Sequence, residues 1–390
     1  MKIFKNKAFL VLLDQFLHSS ITASVPFVLI NYFEQVDMIE FVSVQSWMIY
    51  YISIIESLLI TPFYYIFVND KLKFKQTIYK VCLIISTVSI GLSIFLNLFY
   101  NVPLFMLLFY VTNVYKRLSI NKNISEMNPR RNIKNSLIYF SIYFSFIMFI
   151  VSGVFLFNIF ILLTILNLIY IFNETDNFKV KNEIELSFIK ESFNIGKWSV
   201  YNMIIQLIIT QIILYKLKLY DDLNSIIVYG LAITLTGVLN PIVSSFNNYI
   251  ISYIKTKIEY SKTEFKKLVY KINFIYMVTL ISLSILIILI FPIIEGIIVK
   301  EKYDSLYLVF LYFLISLIFK SDNQFNSRVL TLIYSRKIVF FTGVLSLLTI
   351  LAILPLFDVK WETWLISAFL LSRVSSSLLS KYFLIKKLNV

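Results

Sequence analysis

The sequence predicts an all-α, polytopic membrane protein of about twelve transmembrane helices in two six-helix lobes, with both termini cytoplasmic. Three observations carry this. The first is composition: of 390 residues, 59% are hydrophobic and only 15% charged, with mean hydropathy +0.81. That is far too apolar for a soluble fold. The second is a succession of apolar runs long enough to be read as spans, at 8–33, 40–68, 76–99, 102–118, 134–154, 156–173, 196–217, 224–254, 270–293, 304–334, 338–356 and 361–383. The third is charge asymmetry. With a cytoplasmic N-terminus, 29 of the 36 basic residues fall in inner segments and only five in outer loops, leaving Lys320 and Arg373 at membrane depth. This bias follows the positive-inside rule. The net charge of +14 therefore expresses topology and attraction to anionic lipid headgroups, and no nucleic-acid partner is expected.

Several chemistries are excluded at this level. One cysteine, Cys82, permits no internal disulfide and no thiolate cluster. One histidine, His18, leaves the usual His/Cys zinc site out of reach. No cofactor is expected beyond a coupling ion, H+ or Na+. The first apolar run lacks a small-residue cleavage site and contains Asp14, so it reads as the first span and not as a cleavable signal. Seven glycines are few, which argues against many small-residue helix seams.

The first span carries Asp14 and His18 with Thr22 at i, i+4 and i+8, hence on one face, and Pro26 bends its middle. The second carries Gln45, Ser53 and Glu56 and is bent by Pro62. A carboxylate at membrane depth costs roughly 2.5–3.5 kcal/mol on insertion scales, so such groups face a bundle interior or a wet cavity. Asp14, His18, Gln45 and Glu56 are thus the candidate cavity and cation-coupling residues. For His18, direct proton coupling and a plain hydrogen-bonded partnership with Asp14 both remain open. The third to sixth spans show no comparable polar face. The basic connector from Lys116 to Lys134 reads as a topology anchor.

Residues 174–195 are the only long polar stretch near the middle, with Ile184, Leu186, Phe188 and Ile189 patterned for a short interfacial helix. They separate an N-terminal lobe, 1–173, from a C-terminal lobe, 196–390. The second lobe repeats the plan of the first. A span bearing Asn202, Gln206 and Gln211 is followed by the acidic loop of Asp221 and Asp222. A longer span with Asn240 and the helix-bending Pro241 comes next. A twofold repeat of helical units is a mark of secondary transporters, whose site lies between the repeats near midplane.

The stretches LLDQFLHSSITASVPFVLINYF and ESLLITPF resemble the opening of polysaccharide flippases. These are the Wzx-type members of the multidrug/oligosaccharidyl-lipid/polysaccharide (MOP) exporter superfamily. The blocks FNIGKWSVYNMIIQLIITQIILYKL and VYGLAITLTGVLNPIVSSFNNYIISYI resemble the start of their second lobe. The resemblance implies two lobes around a V-shaped cavity, as in MATE and other MOP proteins. It also implies export of a polyprenyl-diphosphate-linked oligosaccharide across the bacterial inner membrane, for surface polysaccharide such as O-antigen or capsule. Flippases of this type place arginines in the cavity, and the first, second, seventh and eighth spans here have none at depth.

The tenth span can supply the missing cations. Lys320, Gln324 and Arg328 fall at i, i+4 and i+8, a cationic, hydrogen-bonding stripe suited to phosphate oxygens. With Gln206, Gln211 and Asn240 they are the candidate substrate-binding residues. The competing reading pairs Lys320 with Asp14, Glu56 or Asp322, and sends Arg328 to the inner surface. Arg373 reads as a packing or anchoring residue, and Trp361 and Trp364 as part of an outer aromatic belt. Expected partners are the lipid-linked glycan, membrane lipids and other polysaccharide-assembly proteins, around a monomer. The rival within transport is a multidrug or small-metabolite exporter of the same superfamily. The rival from another class is a membrane glycan polymerase or acyltransferase, which usually needs a large outer loop. No Walker-type nucleotide motif occurs, so no ATPase is expected.

Overall fold

A computed structural model describes residues 129–151, 159–172, 186–220, 223–240, 261–298, 305–355 and 359–389. It adds single helical positions within 10–24, 53–58, 112–120 and 243–254. Pro26, Gln45, Glu56, Pro62 and Pro241 lie outside the described residues. Every described element is helical. They are α1 (Pro129–Val151), α2 (Ile159–Phe172), α3 (Leu186–Lys218), α4 (Leu223–Thr236), α5 (Lys262–Ile298), α6 (Leu306–Ile333), α7 (Lys337–Ile353) and α8 (Trp361–Asn389). They correspond in order to the fifth to twelfth predicted spans. Among the described residues three stretches, Gly196–Lys218, Thr263–Ile293 and Leu306–Ile333, are long and apolar enough to cross a bilayer.

Local chemistry sets the ends. Pro129 opens α1, where its missing N–H leaves no bond unmade. Ser261 precedes α5, and its hydroxyl accepts from the Glu264 backbone N–H at 3.4 Å, the N-cap half of a capping box, while donating to the Glu264 carboxylate at 3.0 Å. Lys216 and Lys218 stand in the last turn of α3, and Lys386 and Lys387 in that of α8, where the dipole favours cations.

Two boundaries differ from expectation. The interfacial helix predicted within 174–195 is continuous with the seventh span, because nothing between Leu186 and Lys218 breaks the hydrogen-bond ladder. Within this stretch Gly196 packs its backbone against Ser57 and Leu58, so closely that a Cβ there would overlap the Ser57 carbonyl. The eighth span is interrupted, not ended, by a 3-10 turn, Gly237–Leu239, after α4; beyond it Asn240, Val243, Phe246, Tyr253 and Ile254 are again helical.

The chain divides into two compact units, residues 1–21 with 48–200, and residues 22–47 with 201–390. In the first, α1 packs on α2. In the second, α6 is central and packs against α4, α5, α7 and α8. Its C-terminal half joins a core of Val269, Tyr276, Leu280, Phe325, Val329 and Leu384, with Phe246 stacked on Tyr276 at 4.0 Å. Its N-terminal half sets Phe310 on Phe291 at 4.5 Å, and Phe313 on Phe369 at 4.3 Å.

Lipid tails are as apolar as leucine, so contact and hydrogen bonding must hold such helices together. The α7–α8 seam shows how. Ser346 donates to the Ser372 carbonyl at 3.1 Å, and the Thr349 and Ser375 hydroxyls meet at 3.1 Å. Close packing is achieved with serine and threonine in a chain poor in glycine. Trp364 corrects a second expectation. It is only 1% exposed and donates its indole N–H to the Ile353 carbonyl at 3.2 Å, inside the bundle and not in a lipid-facing belt. The Lys216 ammonium, one of the five basic residues that the charge asymmetry places in outer loops, is buried 5.9 Å from the Trp364 ring and 5.5 Å from that of Tyr220.

Candidate functional site

In the first unit, Asp14 and His18 share a helix face, as their spacing requires, and α1 brings Ser136 between them. Asp14 is wholly buried, and its Oδ1 accepts a hydrogen bond from the Ser136 hydroxyl. The same hydroxyl lies 3.0 Å from His18 Nε2, which is itself 3.8 Å from Asp14. Ser136 has one proton. While it donates to Asp14, it can only accept from His18, so the Nε2 must carry a hydrogen. Protonating Asp14 allows the order to reverse. The three groups form a short relay between a carboxyl and an imidazole. The second Asp14 oxygen, Oδ2, is buried and makes no hydrogen bond. Such a lone acceptor is a place for a proton or small cation.

Around this relay stand side chains from the spans that looked featureless. Tyr139, one turn beyond Ser136, sets its ring 5.7 Å from that of His18, edge to face. Its hydroxyl donates to Asn167 of α2 at 3.1 Å, and Asn167 donates to Thr112 at 3.0 Å. The Lys116 ammonium lies 4.0 Å over the Tyr139 ring, 8% exposed, and its charge acts on Asp14. Lys116 is therefore part of the buried polar lattice, a correction to its reading as a topology anchor. Asn167 did leave a signal, a lone amide in ILLTILNLIY. Ser136 and Lys116 left none, because a serine or a terminal lysine is ordinary in any span.

In the second unit, the predicted stripe on α6 is real in outline. Lys320, Gln324 and Arg328 are all partly exposed, while Asp322, Phe325 and Asn326 between them and Val329 just beyond are buried. Lys320 makes neither a hydrogen bond nor an ion pair among the described residues, and Asp322 is not its partner. That carboxylate accepts from Asn273, Asn326 and Ser377 instead. Two positions along a helix point to opposite sides, which is why neighbours in sequence do not meet. The group that acts on Lys320 is another cation, Arg373 of α8. Arg373 in turn donates to Gln206 Oε1 of α3 at 2.9 Å. Arg373, read from sequence as an anchor, thus joins two of the predicted substrate-binding residues. The others stand elsewhere. Gln211 lines an apolar groove of about 450 Å³ with Leu207, Ile208, Ile212, Tyr215 and Leu354. Asn240 is exposed at the end of the 3-10 turn.

The helical order and this division into two units have counterparts among solved structures. The chain superposes on a MATE protein in complex with MaD3S with TM-score 0.75 and 9% identity, covering all of this chain and 96% of that one. The eukaryotic MATE transporter AtDTX14 gives TM-score 0.72 and 11% identity, over 100% and 97% of the two chains. The chain has the MATE fold. An inward-facing multidrug-resistance MATE transporter of the MOP superfamily gives 0.66 and 9%, over 98% and 94%. The MATE fold has twelve transmembrane helices in two lobes, and this chain is accordingly a multi-pass membrane protein. No family model matches the sequence, and no curated protein matches it.

Proposed function

We propose that the protein is a MOP-superfamily secondary transporter that moves a polyprenyl-diphosphate-linked oligosaccharide across the bacterial inner membrane, by alternating access between its lobes. The observation that carries the reading is Lys320. A lysine within a transmembrane helix, without a hydrogen bond or carboxylate among the described residues and with Arg373 adding to the positive field, is unfavourable unless an anion visits it. A diphosphate suits that environment: guanidinium offers a forked pair of donors and ammonium a point charge. Gln206 would hold Arg373 in place between cargoes. Proton or Na+ coupling is assigned to Asp14, with His18 and Ser136 as its relay and Glu56 as a second carboxylate.

The test is surface glycan at matched membrane expression. Lys320→Arg should keep most export and Lys320→Gln should lose it, with no restoration on adding Asp14→Asn or Glu56→Gln. Restoration by either would show that Lys320 pairs with a protein carboxylate. A multidrug exporter is the second reading. It is favoured by the multidrug-resistance protein among the structural neighbours and by the buried Asp14, which a cationic drug could exchange for a proton. Raised drug resistance with unchanged glycan on expression of the protein would select it.

A further inference from the structure

The apolar groove along α3 plays no part in the proposed transport site, yet it carries a charge. Leu207, Ile208, Ile212 and Tyr215 of α3, Leu219 just beyond it and Leu354 after α7 enclose about 450 Å³. Ile208, Tyr215 and Leu219 are exposed, on and beside a stretch long and apolar enough to cross a bilayer, so the groove opens onto lipid. Water needs polar partners that such walls do not offer, and a hydrocarbon chain needs none. A chain gains little by entering, however, because the tails it leaves are as apolar as leucine. The walls alone therefore select no particular lipid.

Selection can come from Lys216, which lines the same groove in the last turn of α3 and is 2% exposed. Two rings border its ammonium, Tyr220 at 5.5 Å and Trp364 at 5.9 Å. The polar ends of both rings are engaged away from it. The Tyr220 hydroxyl donates to the Val359 carbonyl at 3.0 Å, and the Trp364 indole N–H to that of Ile353. Lys218, two residues on, is exposed and stands outside the lining. Among the described residues no carboxylate lines the groove. Its one charge is a cation on a flexible stem, at the end of the span where headgroups lie.

We infer that this groove binds one anionic phospholipid of the phosphatidylglycerol class, with an acyl chain along Leu207, Ile212 and Leu354 and the phosphate on the Lys216 ammonium. A single negative headgroup matches the single positive charge. A zwitterionic phospholipid brings an ammonium of its own, for which the lining holds no carboxylate. Gln211 also lines the groove, five residues or about 7.5 Å further into the span, where its amide can donate to a glycerol ester carbonyl. The lipid would bridge α3 to the end of α7. The site is separate from Lys320 and Arg373 and stands whether the cargo is a glycan or a drug.

The test uses the full-length protein in phosphatidylcholine nanodiscs holding a small fraction of phosphatidylglycerol with a photoactivatable diazirine in one acyl chain. Crosslinks are mapped by mass spectrometry. Labelling of the peptides holding Leu207 to Leu219 and Leu354 is compared with that of α5 around Phe274 and Leu289, which are exposed and serve as the unselective reference. Phosphatidylglycerol should label the groove several-fold above the reference, and a phosphatidylcholine probe with the same chains should label both alike. Lys216→Gln should bring the phosphatidylglycerol probe down to the phosphatidylcholine level, whereas Lys218→Gln, which removes the same charge, should change nothing. Leu354→Trp, which fills the groove, should lower labelling by either probe. Equal labelling by the two probes in the unaltered protein overturns the inference, as does equal loss in Lys216→Gln and Lys218→Gln, which would mean diffuse surface charge only. Displacement of the probe by unlabelled polyprenyl phosphate but not by excess phosphatidylglycerol also overturns it, in favour of a cargo lipid. If Lys216→Gln does not fold, unchanged phosphatidylglycerol labelling in Leu354→Trp overturns it equally.

Discussion

The two units handle buried charge in opposite ways. In the first, Asp14 and Lys116 lie within one lattice, linked through Ser136, His18 and Tyr139, and each charge feels the other. In the second, Lys320 and Asp322 are two residues apart yet separated by the helix between them. The cation faces another cation, and the carboxylate faces neutral donors. The first arrangement can change its protonation without help from outside. The second leaves both Lys320 and Asp322 without an ion-pair partner among the described residues. Proximity in sequence is a poor guide to pairing on a helix, because side-chain direction turns by about 100° at each residue.

This contrast can be broken experimentally, and the largest effect should come from Lys320→Glu. Reversing the charge beside Arg373 would create an internal ion pair and remove the anion site. Export is expected to fall at least tenfold, about 1.4 kcal/mol in the rate-limiting step, measured as surface glycan against a matched membrane blot. Export at normal levels would show the cation to be dispensable. Next comes the first unit. Asp14→Asn should leave the protein in the membrane and abolish dependence on an ion gradient in proteoliposomes. Ser136→Ala, which removes a hydrogen bond to a charged group of about 1.5–3 kcal/mol, should slow the same transport about tenfold. An unaffected Ser136→Ala variant would remove the serine from the relay.

Two smaller effects sharpen the comparison by testing packing apart from charge. A Cβ at Gly343 would collide with the Asn202 side chain of α3, so Gly343→Ala should cost about 1–3 kcal/mol of stability. A lowered thermal midpoint with transport retained at permissive temperature is the expected outcome. The smallest change should follow Ser346→Ala at the α7–α8 seam, since one interhelical hydrogen bond in a membrane averages about 0.6 kcal/mol. A loss of several kcal/mol there would mean that the seam is far more cooperative than its separate bonds.

Composition, apolar run length and basic-residue asymmetry were enough to read a polytopic helical bundle, because a continuous apolar run of about 20 residues satisfies its own backbone in a bilayer as a helix. The lone polar residues in apolar runs were legible too. Asp14 and His18 do share a face, and Lys320, Gln324 and Arg328 do form a partly exposed stripe, since both follow from helical periodicity alone. The partners were not legible. Ser136 lies 122 residues from Asp14 and Gln206 lies 167 from Arg373, and no periodicity within one helix says which face of another it will meet. Nor could sequence reveal that Trp364 turns inward or that Asp322 is shared by Asn273, Asn326 and Ser377. Helix formation in a membrane is decided by each segment against lipid. Which charge meets which is decided only when packed helices must satisfy every polar group among themselves.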